Sequence, residues 1–273
     1  MIDSHQHFWQ YDPVKDAWIT DEMAVIKRSF MPTDLDPILK ANGVQGCIAV
    51  QADQSEAETN FLLKLAQQNS FIKGVVGWVD LRNSNLDERL QHFSQFKQLK
   101  GWRHLIQAEP EGFMLQTDFL NGIKALTAFG YTYDILIKQQ QLPEAIQMVA
   151  ACANQAFVID HCAKPAISNG EMANWKSHIQ TMAQHPNVYC KLSGLLTEAD
   201  WKHWDEQQLY SYLDVVVESF GIARLMFGSD WPVILLAGSY SQWKTLLQRY
   251  AQQFSLQEQQ QLFNDNALRF YKL

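Results

Sequence analysis

Two histidines two residues apart stand in "IDSHQHFW", His5 and His7. On a β-strand, residues i and i+2 face the same side, so this pair would aim two imidazoles into one small volume. That placement suits a metal ion, an acid–base site or a packed core pair, and spacing alone does not choose among them. Three other stretches end apolar runs with chemically able side chains. "GWRHLIQAEP" holds Arg103, His104, Gln107 and Glu109; "VIDHCAKP" holds Asp160, His161 and Lys164; "FGSDWPV" holds Ser229, Asp230 and Trp231. A polar residue at the end of such a run is costly to bury unless it has a partner. Each alone has a plain reading: a strand histidine is usually a satisfied core or rim group, and Asp230 suits the cap of a following helix. His92, His178, His185 and His203 lie in helical or loop stretches and take structural roles, while His104 is left undecided between the two. The conjunction of the HxH pair, a histidine and an aspartate, each ending a separate run, points to a shared site.

Something must bring those ends together. The β-rich runs are residues 2–9, 44–52, 72–81, 99–107, 131–137, 156–161, 188–193 and 224–229, eight in all and about 25 to 42 residues apart. Several, such as "GCIAV" and "AFVIDH", are almost continuously apolar, as strands buried on both faces should be. The stretches between them read as helices. "SEAETNFLLKLAQQN" begins with a Ser55 cap and Glu58 three residues on, a capping-box pattern. "LPEAIQMVAACAN" carries Pro143 in its first turn. The Gln-rich "SLQEQQQLFNDNALRFY" puts Leu256, Leu262, Phe263 and Phe270 on a helical stripe. Eight βα units without an internal linker predict an α/β protein, a single-domain (β/α)8 TIM-type barrel over residues 1–273. An open doubly wound sheet handling nucleotides would show GxGxxG or a P-loop, and neither occurs. In a closed barrel the C-terminal ends of all eight strands ring one mouth.

Composition narrows the partners. A net charge of −7 without a Lys/Arg run argues against nucleic acid, whose phosphates need a basic face. No apolar run approaches the ~20 residues of a membrane span, so no membrane association is expected. The first ten residues show no basic and apolar leader pattern, and the four cysteines (Cys47, Cys152, Cys162, Cys190) form no zinc-type spacing. Buried thiols in a reducing cytoplasm are the expectation. The expected partner is a small molecule, with a homo-oligomer left open.

Together, HxH on the first strand, "DHCAKP" on the sixth and "GSDWPV" on the eighth resemble the amidohydrolase superfamily. More narrowly they resemble its amidohydrolase-2 branch of sugar-lactone hydrolases, the L-fuconolactonase and L-rhamnonolactonase group. The likeness runs from residue 2 to the C-terminal helix and includes "KGWRHLIQ" and "YCKLSGL". It implies a carbohydrate-lactone hydrolase in which His5, His7 and His161 match the family's histidines and Asp230 its catalytic aspartate. Dinuclear members of the superfamily use a bridging Lys or Glu and two further histidines. The fifth run, "YTYDILIK", offers no histidine and its Lys138 lies beyond the apolar stretch. At most one divalent ion is therefore expected, Zn²⁺ foremost, held by His5, His7, His161 and Asp230. The resemblance also leaves room for these residues to work without a metal.

The residue types suggest a mechanism. The three histidines, bare or through a metal, would stabilise the lactone carbonyl oxygen, and Asp230 would take a proton from attacking water. Arg103, His104, Gln107, Lys164 and Trp231 are the expected substrate-binding residues, with Trp9, Trp18 and Trp102 as further candidates for an apolar wall. Two alternatives stand beside this reading: a metal-dependent decarboxylase of the same branch, and a non-catalytic barrel that binds a metabolite.

Overall fold

The computed structural model describes residues 1–273. Eight parallel strands follow one another around a barrel: β1 (Ile2–Gln6), β2 (Gly46–Val50), β3 (Ile72–Gly77), β4 (Leu99–His104), β5 (Thr132–Ile135), β6 (Phe157–Ile159), β7 (Val188–Leu192) and β8 (Leu225–Phe227). The ring is nearly closed between β1 and the segment after β8. There Asp230 N–H donates to His5 O at 2.8 Å, and His7 N–H donates to Trp231 O at 2.7 Å. Asp3 pins the same seam from beneath, its Oδ1 accepting from the backbone N–H of His5 (3.1 Å) and Ser229 (2.9 Å). The seam therefore joins the first and last candidate motifs directly.

Helices cover the outside: α1 (Pro32–Ala41), α2 (Glu56–Gln68), α3 (Leu86–Phe93), α4 (Thr117–Phe129), α5 (Leu142–Ala151), α6 (Ala173–Ala183), α7 (Leu195–Glu198), α8 (Glu206–Phe220) and α9 (Tyr240–Tyr250). None is long and apolar enough to cross a membrane. Ser55 caps α2 by accepting from Glu58 N–H at 3.1 Å. The Glu58 carboxylate does not return to Ser55; it accepts from Ala52 N–H and sits 3.4 Å from Lys15 Nζ. Half of the expected capping box is thus spent on tying the β1–α1 segment to the β2–α2 loop. In the C-terminal stretch a π-helical turn, Gln261–Asp265, rotates the apolar stripe. Leu262, Phe263 and Phe270 are buried, whereas Leu256 stays exposed.

The main core lies between sheet and helices. A second apolar cluster fills the barrel interior with Ile2, Ile48, Val50, Val76, Val158 and Met226, closed from below by Ala267, Phe270 and Tyr271. The barrel is a packed core rather than a pore. All four cysteines are buried free thiols, as expected.

Candidate active site

His5 lies in β1 and His7 just beyond it, and both rings converge on Asp230. The two Nε2 atoms are 3.2 Å apart, and they lie 3.8 Å (His5) and 3.4 Å (His7) from Asp230 Oδ1. His161 Nε2 is 3.8 Å from the same oxygen, and its ring centroid is 4.4 Å from that of His5.

Backbone and neighbouring groups hold each ring. Val50 O lies 2.8 Å from His7 Nδ1; a carbonyl only accepts, so Nδ1 carries a proton and Nε2 is the nitrogen turned toward Asp230. His161 Nδ1 lies 2.9 Å from Ser193 Oγ, and His5 Nδ1 lies 3.2 Å from Asp160 Oδ1. The hydroxyl can donate or accept and the carboxylate only accepts, while Lys191 Nζ lies 3.1 Å from the same His5 nitrogen; these partners hold the two rings in place. His161 begins a run of four non-glycine residues, His161 to Lys164, with φ of 53°, 52°, 60° and 48°. Such left-handed turns cost roughly 1–2 kcal/mol per residue and persist only where the surroundings fix them. Here Trp175 Nε1 donates to Cys162 O at 2.8 Å, and Lys164 N–H donates to His161 O at 2.8 Å. The turn brings His161 and Lys164 to one cavity wall. Gly194 (φ +69°) passes so close that a Cβ there would stand 2.6 Å from His161 Nδ1.

Electrostatics follow from burial. Desolvation holds the His5 imidazole well below its ordinary pKa and draws His161 down to about 4. Burial alone would raise Asp230, but the facing imidazoles of His161, His7 and His5 outweigh it and keep the carboxyl below the usual range. At neutral pH, His5 and His161 are neutral and Asp230 is a carboxylate, the protonation states that metal ligation requires. The ligand atoms of His5, His161 and Asp230 lie within 4.8 Å of one another. Ligands on a tetrahedral zinc, with bonds of about 2.0–2.1 Å, stand roughly 3.3 Å apart. The separations of 3.2, 3.4, 3.8 and 3.8 Å are close to that figure. His5, His161 and Asp230 fit one divalent ion, and His7 Nε2 lies beside them, 3.2 Å from His5 Nε2, because the two histidines share a strand face.

Above the cluster opens a cavity of about 290 Å³. His7, His161, Asp230, Arg103, Gln107 and Lys164 reach its wall, and Trp9, Trp18, Leu105, Leu136 and Val233 supply an apolar side. His5 lies behind that wall, fully buried. His104 and Trp231 are off the cavity. His104 is held between Glu109 Oε1 (2.7 Å) and the Trp78 indole N–H (3.2 Å), its ring stacked on Phe113. Trp231 packs edge-on against Phe8 and Phe30, and Trp102 likewise against Phe93 and Tyr131.

Beneath the histidines lies a charge network in which Arg103 and Asp160 were expected from the motifs and Lys191 and Asp134 were not. Arg103 Nη1 donates to Asp160 Oδ2 at 3.0 Å, while Nη2 is bonded to Gln51 O. Lys191 Nζ contacts Asp134 Oδ2 (2.5 Å), Asp160 Oδ1 (2.9 Å) and His5 Nδ1 (3.1 Å). The Lys191 and Asp134 side chains are completely buried. A signal existed, since "YCKLSGL" and "YTYDIL" each put one charge into a run that must be buried.

The family described as amidohydrolase matches residues 2–273. The chain belongs to the amidohydrolase superfamily, in its amidohydrolase-2 branch. An L-fucono-1,5-lactonase from Burkholderia multivorans is 40% identical, the match covering 100% of this chain and 96% of that protein. A second L-fucono-1,5-lactonase, from Burkholderia ambifaria, is 34% identical over 100% of this chain and 95% of its own length. An amidohydrolase from B. multivorans, solved with bound zinc, superposes with a TM-score of 0.97 at 40% identity, covering 100% and 99% of the two chains. The chain is an enzyme of the hydrolase class. Its His/His/Asp cluster and the zinc-bearing relative point to a metal-dependent amidohydrolase. That moves the weight away from bare histidines and toward the metal-dependent chemistry the sequence reading had attached to its alternative.

Proposed function

We propose that this amidohydrolase opens a sugar-acid lactone by direct attack of water. The observation that carries the reading is the Asp230 carboxylate. It lies at a cavity wall, 3.4–3.8 Å from three imidazole nitrogens, within hydrogen-bonding range of a water held among them. Asp230 accepts the proton of the attacking water and returns it to the ring oxygen as that bond breaks. No residue of the cavity wall carries a hydroxyl or thiol, and Ser193, although beside His161, is fully buried. Water is therefore the nucleophile that the wall supports. A divalent ion held by His5, His7, His161 and Asp230 supplies positive charge where negative charge develops and makes water a stronger acid. Arg103, Gln107 and Lys164 offer donors to substrate hydroxyls and the carbonyl, and the tryptophan side covers the ring's apolar face. The names of the two B. multivorans and B. ambifaria relatives support a six-membered aldonolactone as substrate.

The metal-dependent decarboxylase uses the same cluster, so metal analysis does not separate the two. Charge does. Each cation at the cavity has a carboxylate nearby: Asp160 at 3.0 Å from Arg103 and Glu198 at 3.9 Å from Lys164. Little free positive charge remains for a substrate carboxylate, whereas a neutral polyhydroxylated lactone needs none. The test is a pH-indicator screen of aldonolactones alongside CO₂ release from aromatic acids. Turnover of the acids without lactone opening would replace the proposal with its alternative.

A further inference from the structure

The barrel floor carries four buried ionic side chains where apolar ones would pack. Arg103, Asp134, Asp160 and Lys191 are each at least 97% buried. The layer beneath is the apolar interior of Ile2, Ile48, Val50, Val76, Val158 and Met226. Two cations and two carboxylates cancel in charge, but removing all four from water costs more than their attraction usually returns. Branched apolar residues fill this layer in ordinary barrels. Stability alone therefore does not account for the set, and its directionality does.

The contacts run from the barrel floor up to His5. The Tyr271 hydroxyl donates to Asp134 Oδ2 at 2.9 Å, and the same oxygen holds Lys191 Nζ. Lys191 then reaches Asp160 Oδ1 at 2.9 Å, and Arg103 takes the other oxygen, Oδ2, at 3.0 Å. With both oxygens clamped the Asp160 carboxylate cannot turn, and Oδ1 faces His5 Nδ1 at 3.2 Å. Lys191 Nζ lies 3.1 Å from the same nitrogen, so the network bears on the His5 ring from two sides. We infer that Lys191, Asp134 and Tyr271 are positioning residues that fix the Asp160 carboxylate and, through it and the direct Lys191 contact, the orientation of the His5 ring. The C-terminal helical segment thereby takes part in building the site from the opposite end of the barrel. None of the three lines the cavity, so none acts on substrate itself. A carboxylate that orients a ligand histidine commonly affects metal affinity about 10–100-fold; one link further out, at Tyr271, the lower end applies.

The test uses Tyr271→Phe, which removes one hydroxyl, and Lys191→Met, which removes the charge at similar length. Tyr131→Phe is the control, because its buried hydroxyl has no partner. Two readouts are independent of substrate: the ¹⁵N shifts of the His5 ring nitrogens, and the Zn²⁺ dissociation constant from chelator competition. In Tyr271→Phe the His5 ring-nitrogen shifts move away from those of the parent, zinc binds about tenfold more weakly, and the control matches the parent. In the kinetic arm, which rests on the lactonase reading, kcat falls while KM holds. Should Lys191→Met fail to fold, Tyr271→Phe decides alone. Unaltered His5 shifts, or a zinc affinity within twofold of the control, overturn the inference whichever substrate the enzyme uses.

Discussion

Gly194→Ala tests whether the His161 ring is placed by close packing against the backbone. A Cβ built at this position stands 2.6 Å from His161 Nδ1 and 2.7 Å from Cγ, against 3.4 Å for ordinary contact. The ring must therefore retreat by nearly 1 Å, or the backbone must do so in its place. Retreat is constrained, because His161 sits in a left-handed turn anchored through Cys162 O and faces Ser193 Oγ. A misplacement of about 1 Å in a reacting constellation costs roughly 10²-fold in rate. Stability should suffer much less. Alanine at φ +69° costs about 1–2 kcal/mol, which for a chain of this size lowers Tm by only a few degrees. The assay pairs kcat/KM on the best lactone from the screen with a thermal melt and Zn²⁺ affinity. A drop of about a hundredfold in kcat/KM with weakened zinc binding, in a protein melting within about 8 °C of the parent, is the expected outcome. Full activity in Gly194→Ala would show that the ring tolerates displacement and would refute the placement argument.

Three other perturbations follow from the same geometry. Asp230→Asn leaves an amide that cannot take a proton, and kcat/KM should fall about 10²–10⁴-fold; near-parental turnover in the folded variant would remove the base assignment. Exhaustive chelation should abolish turnover and one equivalent of Zn²⁺ per chain should restore it, since the cluster has room for one ion; elemental analysis finding two bound ions would contradict the ligand set. Trp18 is 46% exposed yet lines the cavity, so Trp18→Ala should raise KM severalfold while leaving the melting temperature nearly unchanged. An unchanged KM would place that indole outside the substrate's reach.

Barrel, strand order and the convergence of His5, His7, His161 and Asp230 were legible because each rests on a local rule. Eight apolar runs with helical spacers allow few architectures, and a closed barrel sends every strand end to one mouth. The pairing of i with i+2 then aims both histidines together. His104 and Trp231 show where that logic stops. Both stand at the proper ends of strands, yet which side chains reach the cavity depends on loop partners: Glu109 and Trp78 hold one, Phe8 and Phe30 the other. Such partners are set by three-dimensional packing and leave no spacing to read.

The charge network is hidden for a different reason. Lys191 lies 57 residues from Asp134 and 186 from His5, so no motif window contains the set. What the sequence does carry is an imbalance: a lone lysine in one buried strand and a lone aspartate in another. A buried charge without a partner is so unfavourable that each implies the other, and barrel order limits where the partner can be. β5 and β7 flank β6, whose final residue, Ile159, is followed by Asp160. A cation from β7 and an anion from β5 can meet across that interior only beneath the β6 end, beside the carboxylate that faces His5.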